Sequence, residues 1–214
     1  MSAKTIVYLH GFASSDQGEK GKFLSENAPQ LSGAEYLAVN FNPTPRDFRH
    51  LTITGMINRL RQFLLDHEVD KPLLIGSSLG GLVSLCYAAV YRVEKMLLLA
   101  PLLAYQSLQM TEEELSYWKQ QGTVNIDHYA FAGKLPLGYQ FHRDGLNYQE
   151  MVAPGAEAEI IHGRRDETVP IEDSRYYAGQ HVEKVSLLEV ESDHRLADQH
   201  EFIWGRINQF LLEK

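Results

Sequence analysis

One serine lies at a predicted turn that could activate it as a nucleophile. The sequence Gly-Ser-Ser-Leu-Gly at positions 76–80 has Gly-x-Ser-x-Gly spacing. The motif follows an apolar run that begins at Pro72 and predicts a buried strand. It precedes an Ala- and Leu-rich segment, 79–91, which predicts a helix. A turn of this kind strains the serine backbone, and glycines on either side let the strand approach the helix. We therefore predict that Ser78, and not its neighbour Ser77, is the nucleophile.

A serine hydroxyl needs a base to remove its proton and an acid to orient that base. In parallel sheets with helical crossovers, ligands bind at the carboxyl ends of the strands. Of nine histidines, His194 directly follows the last predicted strand, and we predict that it is the base. Asp166 follows the preceding strand and is the predicted acid. Asp193 is the weaker candidate, because side chains adjacent in sequence to a base usually diverge from it.

The other histidines are assigned plainer roles. His10 follows the first predicted strand and belongs to a loop with a different task, while His162, at a strand end, orients its own loop. The rest are expected to be solvated or on the surface, with a substrate contact left open for those at positions 128 and 142. These residues are His50, His67, His128, His142, His181 and His200.

Attack of a serine on an acyl carbonyl creates an oxyanion, which backbone N–H groups stabilise strongly. Leu79 follows the serine at a helix start and can supply one donor. The loop after the first strand, His10-Gly11-Phe12, places the Phe12 amide to supply the second. An ordinary strand-to-loop turn remains the alternative reading of these three residues.

Strand-like and helix-like segments alternate along the chain. The sequence predicts strands at 5–9, 35–39, 95–101, 157–162 and 184–190, in addition to the run from Pro72. It predicts helices at 19–31, from 52 onward, at 79–91, at 171–181 and at 198–212. This alternation predicts an α/β protein with a mainly parallel sheet of about six strands and helices on both faces.

Residues 102–153 interrupt the alternation, and we call them the cap segment. They contain a predicted short helix, 111–120, and an irregular stretch rich in aromatic residues. A connection of this length in a compact domain is usually functional or disordered, and aromatic side chains argue against disorder. We predict that the cap segment covers the serine loop and that its eight aromatic residues form an apolar acyl pocket. A purely structural excursion over the sheet is the alternative.

Composition excludes several classes of protein. The chain of 214 residues fits a single domain, 1–214, and its formal charge of -8 argues against general binding to nucleic acid or anionic membranes. The N-terminal apolar run is too short for a signal peptide, and no segment reaches the length of a membrane span. The single Cys86 lies in an apolar helical stretch and is expected to be a core thiol, which is consistent with a cytoplasmic location.

Four motifs, at positions 8–12, 76–80, 163–170 and 193–194, together resemble the α/β-hydrolase superfamily. The Leu-His-Gly-Phe-Ala-Ser-Ser start and the Gly-Ser-Ser-Leu-Gly-Gly turn are similar to small bacterial esterases of the YqiA/YcfP type. The resemblance implies a three-layer α/β-hydrolase fold that begins at the superfamily's third strand. It implies the roles already assigned, with a nucleophile, base and acid at Ser78, His194 and Asp166 and oxyanion amides at Phe12 and Leu79. It also implies action on carboxylic ester or thioester substrates.

Other chemistries have little support in the sequence. No zinc-protease motif, Walker A loop or dinucleotide fingerprint occurs, so we expect no metal and no cofactor. Arg164 and Arg165 would attract an anionic acyl carrier such as a coenzyme A ester, although we favour ordinary solvated loop arginines. Two alternatives stay open: the same triad cleaving an amide or carbon–carbon bond, and a non-catalytic protein that binds a small ligand.

Overall fold

A six-stranded sheet lies at the centre of the computed structural model, which describes residues 4–106, 110–131 and 133–212. The strand order is β2-β1-β3-β4-β7-β8, and all neighbouring strands are parallel. The predicted parallel sheet is therefore confirmed. Its strands are β1 (Lys4–Leu9), β2 (Ala34–Val39), β3 (Leu73–Ser77), β4 (Lys95–Leu99), β7 (Glu157–Gly163) and β8 (Val185–Val190); β5 (Thr123–His128) and β6 (Gly133–Gly138) form a separate hairpin.

Helices cover both faces of the sheet, as predicted. Alternate residues of a strand point to opposite faces, and accordingly Val7 and Leu9 belong to one buried cluster while Ile6 and Tyr8 belong to another. The predicted first helix is shorter than expected and ends at Asn27. The helices are α1 (Glu19–Asn27), α2 (Pro45–Arg49), α3 (Ile53–Asp66), α4 (Leu79–Ala88), α5 (Glu112–Gln121), α6 (Gln140–Gly145), α7 (Ile171–Gln180) and α8 (His200–Arg206).

The cap segment contains more regular structure than the sequence predicted. Helix α5 confirms the predicted short helix, and Thr111 caps its N-terminus in a reciprocal pair of hydrogen bonds with Glu114. The expected irregular stretch instead contains the antiparallel hairpin of β5 and β6. Trp118 of α5 is fully buried and donates from Nε1 to the Leu137 carbonyl at 3.0 Å, which joins the helix to the hairpin. Positions 107–109 and 132 of the cap segment lie outside the described residues.

Two further expectations concern the whole chain. Within the described ranges, no helix has both the length and the apolar character needed to cross a membrane. Cys86 is buried in α4, and this burial raises the pKa of its thiol to about 11. The prediction of a packed core thiol is therefore confirmed.

Candidate active site

Ser78 occupies the turn between β3 and α4. Its φ of 52° and ψ of -117° lie outside the regions that a serine normally adopts. The strained backbone is held by its own hydrogen bonds: the Ser78 amide donates to the Leu99 carbonyl at 3.0 Å, and the Leu102 amide donates to the Ser78 carbonyl at 3.0 Å. The structure thus places Ser78, rather than Ser77, at the sharp turn that the motif predicted.

The glycines of the motif are required by close approach of backbone segments. A Cβ added to Gly76 would lie 2.6 Å from the carbonyl oxygen of Gly80, and one added to Gly80 would lie 2.3 Å from the carbonyl oxygen of Leu9. Neither distance is compatible with a side chain. The strand, the turn and the following helix can therefore pack only with glycine at both positions.

The structure brings the three predicted catalytic side chains into one hydrogen-bonded row. His194 Nε2 lies 3.0 Å from Ser78 Oγ, and His194 Nδ1 lies 2.7 Å from Asp166 Oδ2. These contacts leave Nε2 to accept from the serine hydroxyl when Nδ1–H donates to the carboxylate. The weaker candidate, Asp193, instead accepts a hydrogen bond from the Arg195 amide at 2.9 Å.

Asp166 is held as an ionised carboxylate by a shell of donors. Its Oδ1 accepts the backbone amides of Thr168 and Val169 at 2.9 and 2.8 Å, while its Oδ2 lies 3.1 Å from His162 Nε2. Burial acts to raise the pKa of Asp166, but hydrogen bonds from His162, His194 and the Val169 amide together hold it well below its usual range. The charge that would stabilise a His194 cation is therefore present at neutral pH.

His162 is a second histidine on the same carboxylate oxygen. It is fully buried, and its Nε2 also lies 3.0 Å from the Val169 carbonyl, which can only accept. Nε2 therefore carries the proton, and Nδ1 accepts from the Ser174 hydroxyl at 2.8 Å. The sequence predicted that His162 orients its loop, and these contacts show that it also contacts Asp166.

The loop after β1, residues 11–14, lies beside Ser78, and we call it the oxyanion loop because it contains the predicted donor Phe12. A Cβ added to Gly11 would lie 3.2 Å from Ser78 Cβ, so only glycine permits this approach without a shift. Within the described ranges, the backbone amides of Phe12 and Leu79 donate to no protein acceptor. Both predicted donors are therefore free to bind a ligand oxygen.

His10 precedes the oxyanion loop and is buried and neutral. Its Nδ1 donates to the Gly11 carbonyl at 2.8 Å, and its Nε2 accepts the Phe41 amide at 3.0 Å. Burial lowers the pKa of His10 to about 4. The ring thus serves as an internal link between the oxyanion loop and the segment after β2.

A cleft of about 1510 Å³ opens over Ser78 and His194. Its walls are the oxyanion loop, the start of α1, the tip of the cap hairpin and the loops that follow β7 and β8. Of the eight cap aromatic residues, Tyr129 alone lines it, whereas Trp118 and Phe141 are buried in the core. The prediction of an aromatic acyl pocket is therefore wrong, because seven of the eight side chains lie outside the cleft, some buried in the core and others, such as Tyr117, exposed elsewhere on the surface. The cleft is instead bordered by many polar and charged groups, among them Lys20, Asp127, Arg165 and Glu167.

Three histidines expected at the surface or in solvent are more enclosed. His128 and His142 are buried, with Nε2 of His128 near Asn42 Nδ2 at 3.1 Å and Nδ1 of His142 near the Tyr105 hydroxyl at 3.0 Å. The ring of His200 stacks on Phe23 at a centroid distance of 4.7 Å. Their partners lie far away in the sequence, which is why local patterning gave no signal of burial.

Comparison with solved structures places the fold among α/β hydrolases. A protein of Agrobacterium vitis S4 superposes with a TM-score of 0.82 at 21% identity, over 97% of this chain and 87% of that one. Mouse α/β hydrolase domain-containing protein 10 superposes with a TM-score of 0.75 at 18% identity, over 97% of this chain and 89% of that one. The monoacylglycerol lipase of Paleococcus ferrophilus superposes with a TM-score of 0.72 at 15% identity, over 96% of this chain and 94% of that one. At such identities the similarity establishes the fold alone.

Comparison with curated proteins gives a short match. Homoserine O-acetyltransferase of Thermus thermophilus is 48% identical over 61 residues, which are 27% of this chain and 16% of the transferase. The match thus spans a small part of that enzyme's length. A family model, by contrast, matches nearly the whole chain, at residues 5–211, and is described as "Uncharacterised protein family (UPF0227)". The chain therefore belongs to the UPF0227 family, whose YqiA type its sequence motifs resemble, and has the α/β-hydrolase fold.

Proposed function

We propose that the protein is a serine hydrolase that cleaves carboxylic ester or thioester bonds through an acyl-enzyme. The observation that carries this proposal is the row of hydrogen bonds from Ser78 through His194 to Asp166, with distances of 3.0 and 2.7 Å. These distances suit proton transfer to a general base that is oriented by a third group. The strained turn and the cleft above it support the same assignment.

The geometry supports a two-step reaction. His194 Nε2 takes the proton of Ser78 as Oγ attacks the acyl carbonyl, and the negative charge that forms on the carbonyl oxygen is stabilised by the amides of Phe12 and Leu79. His194 then gives its proton to the leaving alcohol or thiol, which leaves an acyl group on Oγ. Water, activated by His194, releases the acid. Asp166 stays ionised throughout and stabilises the histidine cation.

The comparisons are consistent with acyl transfer to or from oxygen. A lipase has the same fold, and the short match is to an enzyme named for transferring an acetyl group to an oxygen. The charged side chains that border the cleft favour small, polar substrates over long aliphatic acyl chains. We further propose that residues 1–214 form one domain in which the cap segment closes one side of the cleft through its hairpin tip.

Labelling with a fluorophosphonate probe tests the proposal. The probe phosphonylates an activated serine, so the wild-type protein should be labelled and Ser78→Ala should not. His194→Ala should reduce the labelling rate by about 1000-fold or more, because the base is lost. Ser77→Ala should keep the label and serves as the matched control. Labelling that survives in Ser78→Ala rejects the nucleophile, and an unlabelled wild type supports a ligand-binding protein instead.

The chemical bond is distinguished by substrate profiling. Short-chain esters and thioesters should be hydrolysed at rates that Ser78→Ala abolishes, with a preference for short or polar acyl groups. A marked preference for an amide, or for a substrate with a cleavable carbon–carbon bond, would keep the triad and contradict the assigned bond.

A further inference from the structure

The direction of the Phe12 amide depends on a carbonyl beside it. The Gly11 carbonyl accepts a hydrogen bond from His10 Nδ1 at 2.8 Å. Since a trans peptide is planar, with its C=O and N–H on opposite sides, holding this carbonyl also fixes the direction of the Phe12 N–H. The oxyanion donor is therefore set by contacts made around the loop.

Two other carbonyls of the oxyanion loop accept hydrogen bonds from distant segments. The Ala13 carbonyl accepts the Tyr129 amide at 3.0 Å, and the Ser14 carbonyl accepts from Asn42 Nδ2 at 3.1 Å. Ala13 has a φ of 51°, in the left-handed region that an alanine seldom adopts. A strained conformation persists only where surrounding contacts hold it. These two hydrogen bonds therefore help to define the shape of the loop.

The amide group of Asn42 also contacts a histidine of the cap segment. Asn42 Nδ2 lies 3.1 Å from Nε2 of His128, and the two residues are only 1% and 2% exposed. Burial lowers the pKa of His128, so its neutral ring can accept a hydrogen bond from Asn42 Nδ2 at Nε2. One amide nitrogen thus joins the oxyanion loop to the cap hairpin.

This pair retains polar atoms that protein contacts do not satisfy. Asn42 Oδ1 and His128 Nδ1 are both buried, and neither has a hydrogen-bond partner within the described part of the chain. Buried polar atoms of this kind destabilise a fold, and apolar residues would fill the same space without that cost. Packing alone therefore does not explain the pair.

The cap segment holds the side chain of Phe12 as well as the backbone beside it. The Phe12 ring lies 5.2 Å from the ring of Phe141 in α6. The ring of Phe48 packs edge-on against the ring of His128, with a centroid distance of 4.7 Å.

We propose that Asn42 and His128 are positioning residues that hold the oxyanion loop in its active shape and couple it to the cap segment. This inference rests on the proposed function and adds a residue pair that touches no reacting atom.

Variants at His128 test the coupling. His128→Leu removes the acceptor at Nε2, while His128→Gln offers an oxygen at nearly the same place. We expect the first to lower kcat on a short-chain ester by about 100-fold, the scale of a small displacement of catalytic groups, with KM little changed. His128→Gln should recover most of this loss. Rates are expressed per active site, titrated by the end-point of fluorophosphonate labelling, so that unfolded protein does not count.

Inhibition by a trifluoromethyl ketone separates positioning from structural support. Its adduct with Ser78 carries an oxyanion in the place of the reaction intermediate, so its Ki should rise in His128→Leu by the same factor as kcat falls. A variant that is merely less stable would lose active sites but keep the wild-type kcat and Ki per site. Asn42→Asp keeps the shape of the side chain and removes the N–H donor, so it should show the same changes in kcat and Ki as His128→Leu. If His128→Leu does not fold, Asn42→Asp is used for the test instead.

The results that would overturn the inference are distinct from those that overturn the function. Wild-type kcat and Ki per site in both His128→Leu and Asn42→Asp would reject the positioning role. Equal losses in His128→Gln and His128→Leu would reject the acceptor at Nε2. Ester hydrolysis that survives Ser78→Ala would instead reject the proposed function on which the inference rests.

Discussion

Asp166 joins two histidines that face in different directions. Oδ2 lies 2.7 Å from His194 Nδ1 and 3.1 Å from His162 Nε2, and the side chain is fully buried. An ionised carboxylate in this position must be matched by donors, because an unpaired buried charge is strongly destabilising. The carboxylate thereby sets the tautomer of His194, and His162 sets the position of the carboxylate.

Replacement of the proposed acid, Asp166, distinguishes the two aspartates near His194. Asp166→Asn should lower kcat by about 10,000-fold, because an amide favours the wrong tautomer of the base. KM should change much less. Asp193→Asn is the matched control and should lower kcat by less than about tenfold, since that carboxylate accepts only the Arg195 amide in the described contacts. Steady-state kinetics on one short-chain ester measures both, and equal losses would contradict the assignment of Asp166.

The residues that follow strands were accessible to sequence reasoning, whereas buried cap residues were not. Ser78, Asp166 and His194 each come after an apolar strand, and parallel strands end at the same edge. His128, by contrast, is enclosed by Phe48 and Asn42, about 80 positions away, and nothing in its local sequence indicates such partners. The pairing of Asn42 with His128 had no sequence signal for the same reason.

At the scale of elements, the turn after β3 is a tightly packed part of the fold. Three backbone segments meet there, and the glycines leave no room for a larger side chain. Gly80 lies against the end of β1, and a Cβ at this position would be 2.8 Å from the His10 carbonyl as well as 2.3 Å from that of Leu9. Since both contacts are to backbone, no side-chain rotation can relieve them.

A glycine substitution measures this constraint. Gly80→Ala should destabilise the protein by about 3 kcal/mol, the upper end of the usual range for overpacking, because the contacts are to backbone. Gly205→Ala in α8 is the control, because nothing lies within 4 Å of its added Cβ, and alanine there should stabilise by about 0.5 to 1 kcal/mol. Urea denaturation gives both values. Similar stabilities for the two variants would contradict the described packing.

The hairpin shows why the cap segment was harder to predict than the sheet. The central strands β3 and β4 are nearly continuous apolar runs, whereas β5 and β6 mix polar and apolar residues, and β6 contains Pro136. Proline usually argues against a strand because it cannot donate to the ladder. In a two-stranded ribbon, half of the amides point away from the partner, so Pro136 opposite Asn125 is tolerated.

At the scale of the whole molecule, burial of neutral histidines links stability to pH. Burial lowers the pKa values of His10, His128 and His142 in the folded protein, in the first case to about 4. Unfolded histidines take up protons near pH 6.5. Between these two values the unfolded chain binds more protons than the folded one, so the free energy of unfolding falls as the pH falls.

We expect stability to decline from about pH 6.5 to pH 4, before most carboxylates are protonated. His10 alone would contribute about 3 kcal/mol to this loss. His10→Asn should flatten the decline, since an asparagine can donate to the Gly11 carbonyl without taking up a proton. His50→Asn, at an exposed position, should keep the wild-type slope. Urea denaturation at several pH values measures these slopes, and an unchanged slope in His10→Asn would contradict the assignment.

The hydrogen bond between the Tyr129 amide and the Ala13 carbonyl constrains how the proposed enzyme can diversify. Strands β4 and β7 are neighbours in the sheet, so the segment inserted between them could be exchanged without breaking any strand pairing of the central sheet. A transplanted cap segment would nevertheless contact the oxyanion loop at Ala13 and would have to supply a backbone amide that donates to the Ala13 carbonyl. Chimeric enzymes built by exchanging this insertion should therefore be selected for turnover as well as for substrate range.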